Sequence, residues 1–291
     1  YLALSFIKSF FLIIKYKPFG VIGFGGYPSF PTVLIATFFS KIKTIIHEQN
    51  SVAGKANKVL AKKVDKVATS FTKTKGFEQI DNKKIIFTGN PVRKEILALA
   101  ESGKHKENSD EERFFTILVT GGSQGAEFFS SVIPDAINSL VDSVNGKKDI
   151  RIIQQCKKDE IDSLQDEYKQ LGLAFEVSDY FVDLPDKILQ SDIVICRAGA
   201  STLSEISTLG KPMIMVPLPT SKDNHQYFNA KYFADSGYGI LIEQKDLTSK
   251  VIFAKIEKYI ENNHFGVIKN MFDISLTNNA KNIVDIMLEK E

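Results

Sequence analysis

The sequence predicts an α/β protein of two domains, each a parallel sheet flanked by helices. Three observations carry this expectation. Short β-branched runs alternate with helical periods almost to the end of the chain, the pattern of strand, helix, parallel strand. The length of 291 residues exceeds that of a usual single domain. A polar run without apolar periodicity, ESGKHKENSDEER at 101–113, separates two such series and is read as a linker.

Composition narrows the class further. With 43% apolar and 25% charged residues the chain is neither a disordered nor a collagen-like polymer. Its two cysteines, Cys156 and Cys196, have no CxxC or Cys/His spacing, which argues against a disulfide scaffold and a structural zinc site and fits a reducing compartment. The net charge of +2 hides an asymmetry: residues 1–100 hold sixteen Lys and Arg against five acids, a balance of +11, so the remainder carries −9. Such a basic part suits either an anionic surface or the ordinary solvated face of a Lys-rich protein. The chain opens on Tyr1 rather than Met, so the start of the gene product is expected upstream.

The elements follow in order. Residues 1–14 are the most apolar stretch, but Lys8 interrupts it, and it falls short of the roughly 20 residues a membrane span needs. At helical spacing Leu2, Phe6, Phe10, Ile13 and Ile14 share a face while Lys8 and Lys15 sit elsewhere. This is an amphipathic helix for a core or for a membrane surface. Strands are expected at 19–24, 44–47, 66–71 and 84–88, then at 115–120, 150–154, 193–196, 213–217 and 239–242. The tail from about 248 reads as amphipathic helix.

In open parallel sheets ligands sit beyond the carboxyl ends of the strands, so the segments just after strands are the informative ones. After FTILVT come Gly121, Gly122, Ser123, Gln124 and Gly125, small residues that let a phosphate approach backbone amides at a helix start. The spacing is not GxGxxG, so no dinucleotide fingerprint is present, and a plain strand-to-helix turn is the alternative. After DIVIC, Arg197-Ala-Gly-Ala-Ser-Thr-Leu-Ser-Glu205 opens another helix. Ala200, Ser201 and Thr202 can expose amides to an anion, Arg197 is a cation at a strand end, and Glu205 can accept from two ribose hydroxyls or simply favour the helix dipole. The turn 217–229 carries His225 and Gln226, able to hydrogen-bond a sugar; no second histidine at ligand spacing supports a metal there. In the first domain Gly23, Gly25, Gly26 and Tyr27 end one strand and His47-Glu48-Gln49-Asn50 the next, where HEQN can serve a ligand or start a helix.

GFGGYPSFP, HEQNSVAGKANKVLAKK, GNPVR, VTGGSQGA, CRAGASTLSE and KDNHQYFNA, in this order, resemble the MurG family of peptidoglycan N-acetylglucosaminyltransferases over nearly the whole chain. The resemblance implies a GT-B fold, two Rossmann-like domains with parallel sheets facing across a cleft. It implies transfer of N-acetylglucosamine from UDP-N-acetylglucosamine (UDP-GlcNAc) to the C4 hydroxyl of the MurNAc of lipid I, undecaprenyl-pyrophosphoryl-MurNAc-pentapeptide, giving lipid II. This inverts the anomeric carbon and uses neither a catalytic metal nor another cofactor. The domains then read as 1–100 for acceptor and membrane, 114–275 for the donor, and 276–291 as a helix returning to the first domain.

Carried over by motif, Glu205 would bind the ribose and Arg93 of GNPVR the donor phosphate or ribose. Ser123, Gln124, Ala200, Ser201 and Thr202 would surround the diphosphate, and the main chain near Val182 would read the uracil, with Arg197 close by. His225, where the family usually has glutamine, and Gln226 would touch the donor sugar. Asn50 would face sugar and acceptor, and Tyr27 would line the acceptor side. The implied setting is the cytoplasmic face of the bacterial inner membrane, with its anionic surface and other cell-wall synthesis proteins as partners and no nucleic acid. The family's first strand and its GGTGGH loop, which carries the favoured general-base histidine, are expected upstream of Tyr1, leaving the first domain incomplete. An incomplete record, a split gene and a decayed gene are the readings of that gap; within the chain His47 is the candidate base.

Overall fold

A computed structural model describes residues 2–102, 114–144, 149–262 and 279–289, with the side chains of Leu2, Ser123, Gln124, Ala126, Val144 and Asn262 outside the description. The expected linker lies almost wholly outside the described residues. The chain divides into two compact units, Tyr1–Pro91 with Ile274–Glu291, and Val92–Asp273.

The first unit holds a four-stranded parallel sheet in the order β1 (Gly20–Gly23), β2 (Lys43–Glu48), β3 (Lys66–Thr69), β4 (Ile85–Phe87). Helix α1 (Leu2–Tyr16) packs on α2 (Gly26–Ala36), which packs on α3 (Lys55–Leu60). Alternation along β2 splits the core between two faces. Ile46 points into a cluster with Val33, Leu60, Val64, Val67 and Phe77, whereas Ile45 joins Ala68, Ile283, Ile286 and Met287. The last three come from the C-terminal helix Asn279–Leu288, which covers the second face of this sheet. Its first residue, Asn279, donates to the carbonyl of Asn90 at 2.9 Å.

The second unit is a six-stranded parallel sheet in which β5 (Phe114–Thr120) lies at the centre. Next to it on one side come β6 (Asp149–Gln155) and β7 (Ala174–Ser178), and on the other β8 (Ile193–Arg197), β9 (Met213–Val216) and β10 (Gly239–Leu241). Strands β5, β8 and β9 are apolar in near-continuous runs because helices cover both faces. Ile117, Ile152, Ile195 and Ile214 meet Phe129, Ile133 and Ile137 of the helix Gly122–Val144 in one core. Chain order reverses between β5 and β8, so the switch point of this doubly wound sheet lies between the loops that follow these two strands.

Two features differ from the sequence expectation. Strand β7 carries only one buried residue, Val177, so its alternation is too weak to read. The helix α4 (Lys94–Glu101) belongs to the second unit, packing on Leu184–Gln190 and Ala200–Thr208, so the division falls after Pro91 rather than at residue 100.

Candidate functional site

At the switch point, Thr120 ends β5 and Gly122 starts the long helix with φ 60°, in the left-handed region where glycine carries no Cβ penalty. The first amides of that helix have no intrahelical acceptor. The Gly122 amide is taken by Gln155 Oε1 at 3.3 Å, and the same oxygen accepts from Thr120 Oγ1 at 2.9 Å. Backbone placement thus gives the GGSQG segment the helix start expected of it; the side chains of Ser123 and Gln124 lie outside the described residues.

Across the switch point, Gly199 caps the helix Ala200–Thr208 in extended conformation, and the amides of Ala200, Ser201 and Thr202 form its first turn. The turn is anchored from below: Asn229, fully buried on the helix His225–Asp235, donates to the carbonyl of Ala198 at 3.2 Å. One turn further, Glu205 receives a fork from Arg93, Nε to Oε1 and Nη2 to Oε2, both at 2.7 Å. The carboxylate raises the Arg93 pKa further above its ordinary value, so the cation is permanent. Thus Arg93 and Glu205, far apart in sequence, are brought into direct contact.

Arg197 is a correction. Its side chain does not stand at the open strand end but is buried, with the guanidinium 4.9 Å from the Phe129 ring and 5.4 Å from that of Phe128. Burial pulls its pKa down to about 10, and it donates at 3.4 Å to the carbonyls of Val216 and Pro217. It binds β8, β9 and the long helix together, beneath the loops rather than in them.

The remaining second-unit positions are exposed or turn-bound. Val182 is 84% exposed, while its neighbour Phe181 is buried. His225 and Gln226 open their helix after Asp223 and Asn224, two consecutive left-handed non-glycine residues with φ 52° and 54°. Two contacts of the helix start hold that turn: Gln226 Oε1 accepts from the Leu218 amide at 2.9 Å, and His225 Nδ1 lies 2.8 Å from the Lys222 carbonyl. One face of the Gln226 amide is therefore committed to the turn.

In the first unit, HEQN does not start a helix; β2 ends at Glu48 and α3 begins at Lys55 behind a Gly54 cap. Glu48 is buried and its two oxygens accept from the amides of Asn50 and Gly54, both at 3.0 Å, and from Asn57 Nδ2 at 2.7 Å. That carboxylate fixes the shape of the loop presenting Asn50, a role the sequence hid behind its neighbours. His47 is fully buried, with Nε2 3.0 Å from the Gly89 carbonyl and the Phe24 ring 5.6 Å away. That burial argues against His47 as the base, since a base must come within hydrogen-bond reach of the acceptor hydroxyl. Tyr27 is exposed on the first turn of α2, after Gly25 and Gly26 at φ 82° and 76°.

Helix α1 buries Ser9 and Ile13 and leaves Leu4, Ile7, Phe10, Phe11, Leu12 and Ile14 exposed. Of Phe6, Phe10, Ile13 and Ile14, read onto one face, Ile13 is buried, Phe6 is half-buried, and Phe10 and Ile14 stand outward. A groove of about 740 Å³ beside it is lined by Ile14, Lys17, Phe19, Phe38 and Lys41. Another, of about 680 Å³, is lined by Lys58, Lys62 and Lys63. Among the described residues no helix is long and apolar enough to cross a membrane, and no group of three His, Cys, Asp or Glu could hold a metal.

A doubly wound sheet with two amide-rich helix starts at its switch point, joined in one chain to a second parallel α/β unit, defines a two-domain protein of the GT-B type. The chain belongs to glycosyltransferase family 28: the family's C-terminal domain matches residues 116–287 and its N-terminal domain residues 2–69. Among relatives, the UDP-N-acetylglucosamine--N-acetylmuramyl-(pentapeptide) pyrophosphoryl-undecaprenol N-acetylglucosamine transferase of Zymomonas mobilis is 38% identical over 84% of this chain and 62% of its own length. The protein of the same name from Rickettsia bellii is 36% identical over 90% of this chain and 72% of its own. The crystal structure of Acinetobacter baumannii MurG superposes with a TM-score of 0.74 at 24% identity, covering 98% of this chain and 79% of that one. The chain therefore spans under two thirds of the Zymomonas relative and nearly three quarters of the Rickettsia one.

Proposed function

We propose that this chain carries the donor site and part of the acceptor site of a transferase that moves N-acetylglucosamine from UDP-GlcNAc to the C4 hydroxyl of the MurNAc of lipid I. The observation that carries the reading is the forked Arg93–Glu205 pair beside the Ala200 helix start, at the switch point of a sheet whose relatives bear that transferase's name. Glu205 accepts from the two ribose hydroxyls on the lone pairs that Arg93 leaves open. The amides at the starts of the two helices hold the diphosphate, and Arg93 adds a fixed positive charge at its edge.

The chemistry is a single displacement without a metal. The acceptor O4 attacks the anomeric carbon from the face opposite UDP, the carbon–oxygen bond to the diphosphate breaks, and the configuration inverts. Negative charge grows on the departing diphosphate, where preorganised amide dipoles stabilise it best. The hydroxyl proton goes to a general base. The backbone beside Val182 reads the uracil edge, Gln226 and His225 contact the sugar, and Asn50 and Tyr27 serve the acceptor.

The exposed apolar face of α1 and the lysines at Lys8, Lys15, Lys62 and Lys63 rest on an anionic bilayer surface, on the cytoplasmic side of the inner membrane where lipid I is anchored. A second reading, a UDP-GlcNAc-binding fragment that is inactive or partner-dependent, has its own observation: Arg93, Gly122, Ala200 and Glu205 all lie within one unit, Val92–Asp273, which can hold the donor by itself.

Calorimetric titration of the whole chain with UDP-GlcNAc, followed by a transfer assay with a short-chain lipid I analogue, tests both readings. Binding with turnover supports the transferase, binding without turnover supports the fragment, and absence of binding contradicts both.

A further inference from the structure

Gln155 is the last residue of β6, the strand between β5 and β7. From there its side chain reaches both neighbours' loops. Its Oε1 accepts from Thr120 Oγ1 at 2.9 Å and from the Gly122 amide at 3.3 Å, on the glycine-rich segment after β5. Its Nε2 donates at 3.0 Å to the carbonyl of Asp179, in the segment after β7 that runs on to Val182. A side-chain amide accepts at its oxygen and donates at its nitrogen, so the two loops are joined through a single planar unit.

From this we infer that Gln155 is a positioning residue that couples the diphosphate loop to the base-reading segment, an inference that rests on the donor-site reading above. Two consequences follow from the geometry. By consuming the Gly122 amide, Gln155 fixes the roll of the first helical turn and so decides that the following amides, not Gly122's, face the anion. By holding the Asp179 carbonyl, it sets the distance between the backbone that meets the base and the backbone that meets the phosphates. A nucleoside diphosphate spans both; a nucleoside engages only one. Loss of the bridge therefore costs the nucleotide more than the nucleoside, a selectivity that general loosening of the fold does not produce. Thr120 shares the same oxygen, and its hydroxyl can be removed without changing side-chain shape.

The test uses the full chain with UDP and uridine as probes, titrated calorimetrically for wild type, Gln155→Ala, Thr120→Val and Thr120→Ser, with thermal midpoints recorded alongside. The expected result is a fall of about tenfold in UDP affinity for Gln155→Ala with a much smaller change for uridine. Thr120→Val should give a partial loss of the same kind, and Thr120→Ser should restore it. Should Gln155→Ala fail to fold, Thr120→Val and its rescue carry the test alone. Unchanged UDP binding in Gln155→Ala or Thr120→Val, or equal losses for UDP and uridine, would overturn the coupling while leaving the donor site standing. Failure of the wild type to bind UDP would remove the donor-site reading itself, and the coupling with it.

Discussion

Arg93 and Glu205 meet side-on, each guanidinium nitrogen of the pair 2.7 Å from a different carboxylate oxygen. On the proposed donor-site reading, the fork aims the carboxylate at the ribose. Arg93 keeps 42% of its side chain exposed and Glu205 13%, so solvent screens much of their attraction and the pair adds only about 0.5–1 kcal/mol to stability. Its value lies in orientation.

Replacing Glu205 with Ala should therefore lower UDP-GlcNAc affinity by about tenfold or more while moving the thermal midpoint little. Arg93→Lys keeps the charge and loses the fork, and should fall between wild type and Glu205→Ala. Titration and thermal melting of the same samples check this; a large loss of stability with intact binding would make the pair structural.

Glu48 should behave in the opposite way. Its removal takes away the acceptor for the Asn50 and Gly54 amides and one of the two acceptors of the buried Asn57 side chain, so Glu48→Ala should cost about 1–3 kcal/mol in denaturant unfolding. Glu48→Gln keeps the shape but turns an NH₂ toward one of these donors, and should recover only part of the loss.

His47 gives a pH dependence. Burial holds its pKa below the ordinary 6.5, against smaller raising effects from the Gly89 carbonyl and Glu48. The unfolded chain thus takes up a proton near pH 6.5 that the folded chain refuses. This source of instability is absent above that pH and grows as pH falls through it toward the lower folded value. Unfolding at pH 7.5 and 5.5 should show a loss in wild type that is smaller in His47→Gln, which retains a donor for the Gly89 carbonyl. Equal losses in the two proteins would place the titration elsewhere.

Charge reversal of Lys8, Lys15, Lys62 and Lys63 together should weaken binding to vesicles of anionic phospholipid, by about 1 kcal/mol per lysine that faces the surface. Phe11→Asp, at a position 65% exposed on α1, should weaken it with little loss of stability. Cosedimentation at low and moderate salt reads both; unchanged binding in the reversed variant would remove the membrane face.

Much of this was legible in the sequence because the relevant signals are local. Glycine and serine after a β-branched run place helix starts at Gly122 and Ala200, and the alternation of strand and helix gives parallel sheets. What escaped depends on neighbours distant in sequence. Arg197 reads as a free cation at a strand end, yet Phe128 and Phe129 of an earlier helix cover it. Gln155 looks like any polar strand terminus until strand order puts β6 between β5 and β7. Glu48 sits in HEQN, where nothing local in sequence shows that its three accepted hydrogen bonds hold the loop. Helix α4 precedes the polar linker, yet its packing on the Leu184 and Ala200 helices puts it in the second unit.

The most direct measurement is calorimetric titration of the 291-residue chain with UDP-GlcNAc, wild type beside Glu205→Ala. One saturable site in the wild type, weakened about tenfold or more in the variant, is the predicted result. No binding by the wild type, or equal binding by both, would contradict the assignment of the donor site to this unit.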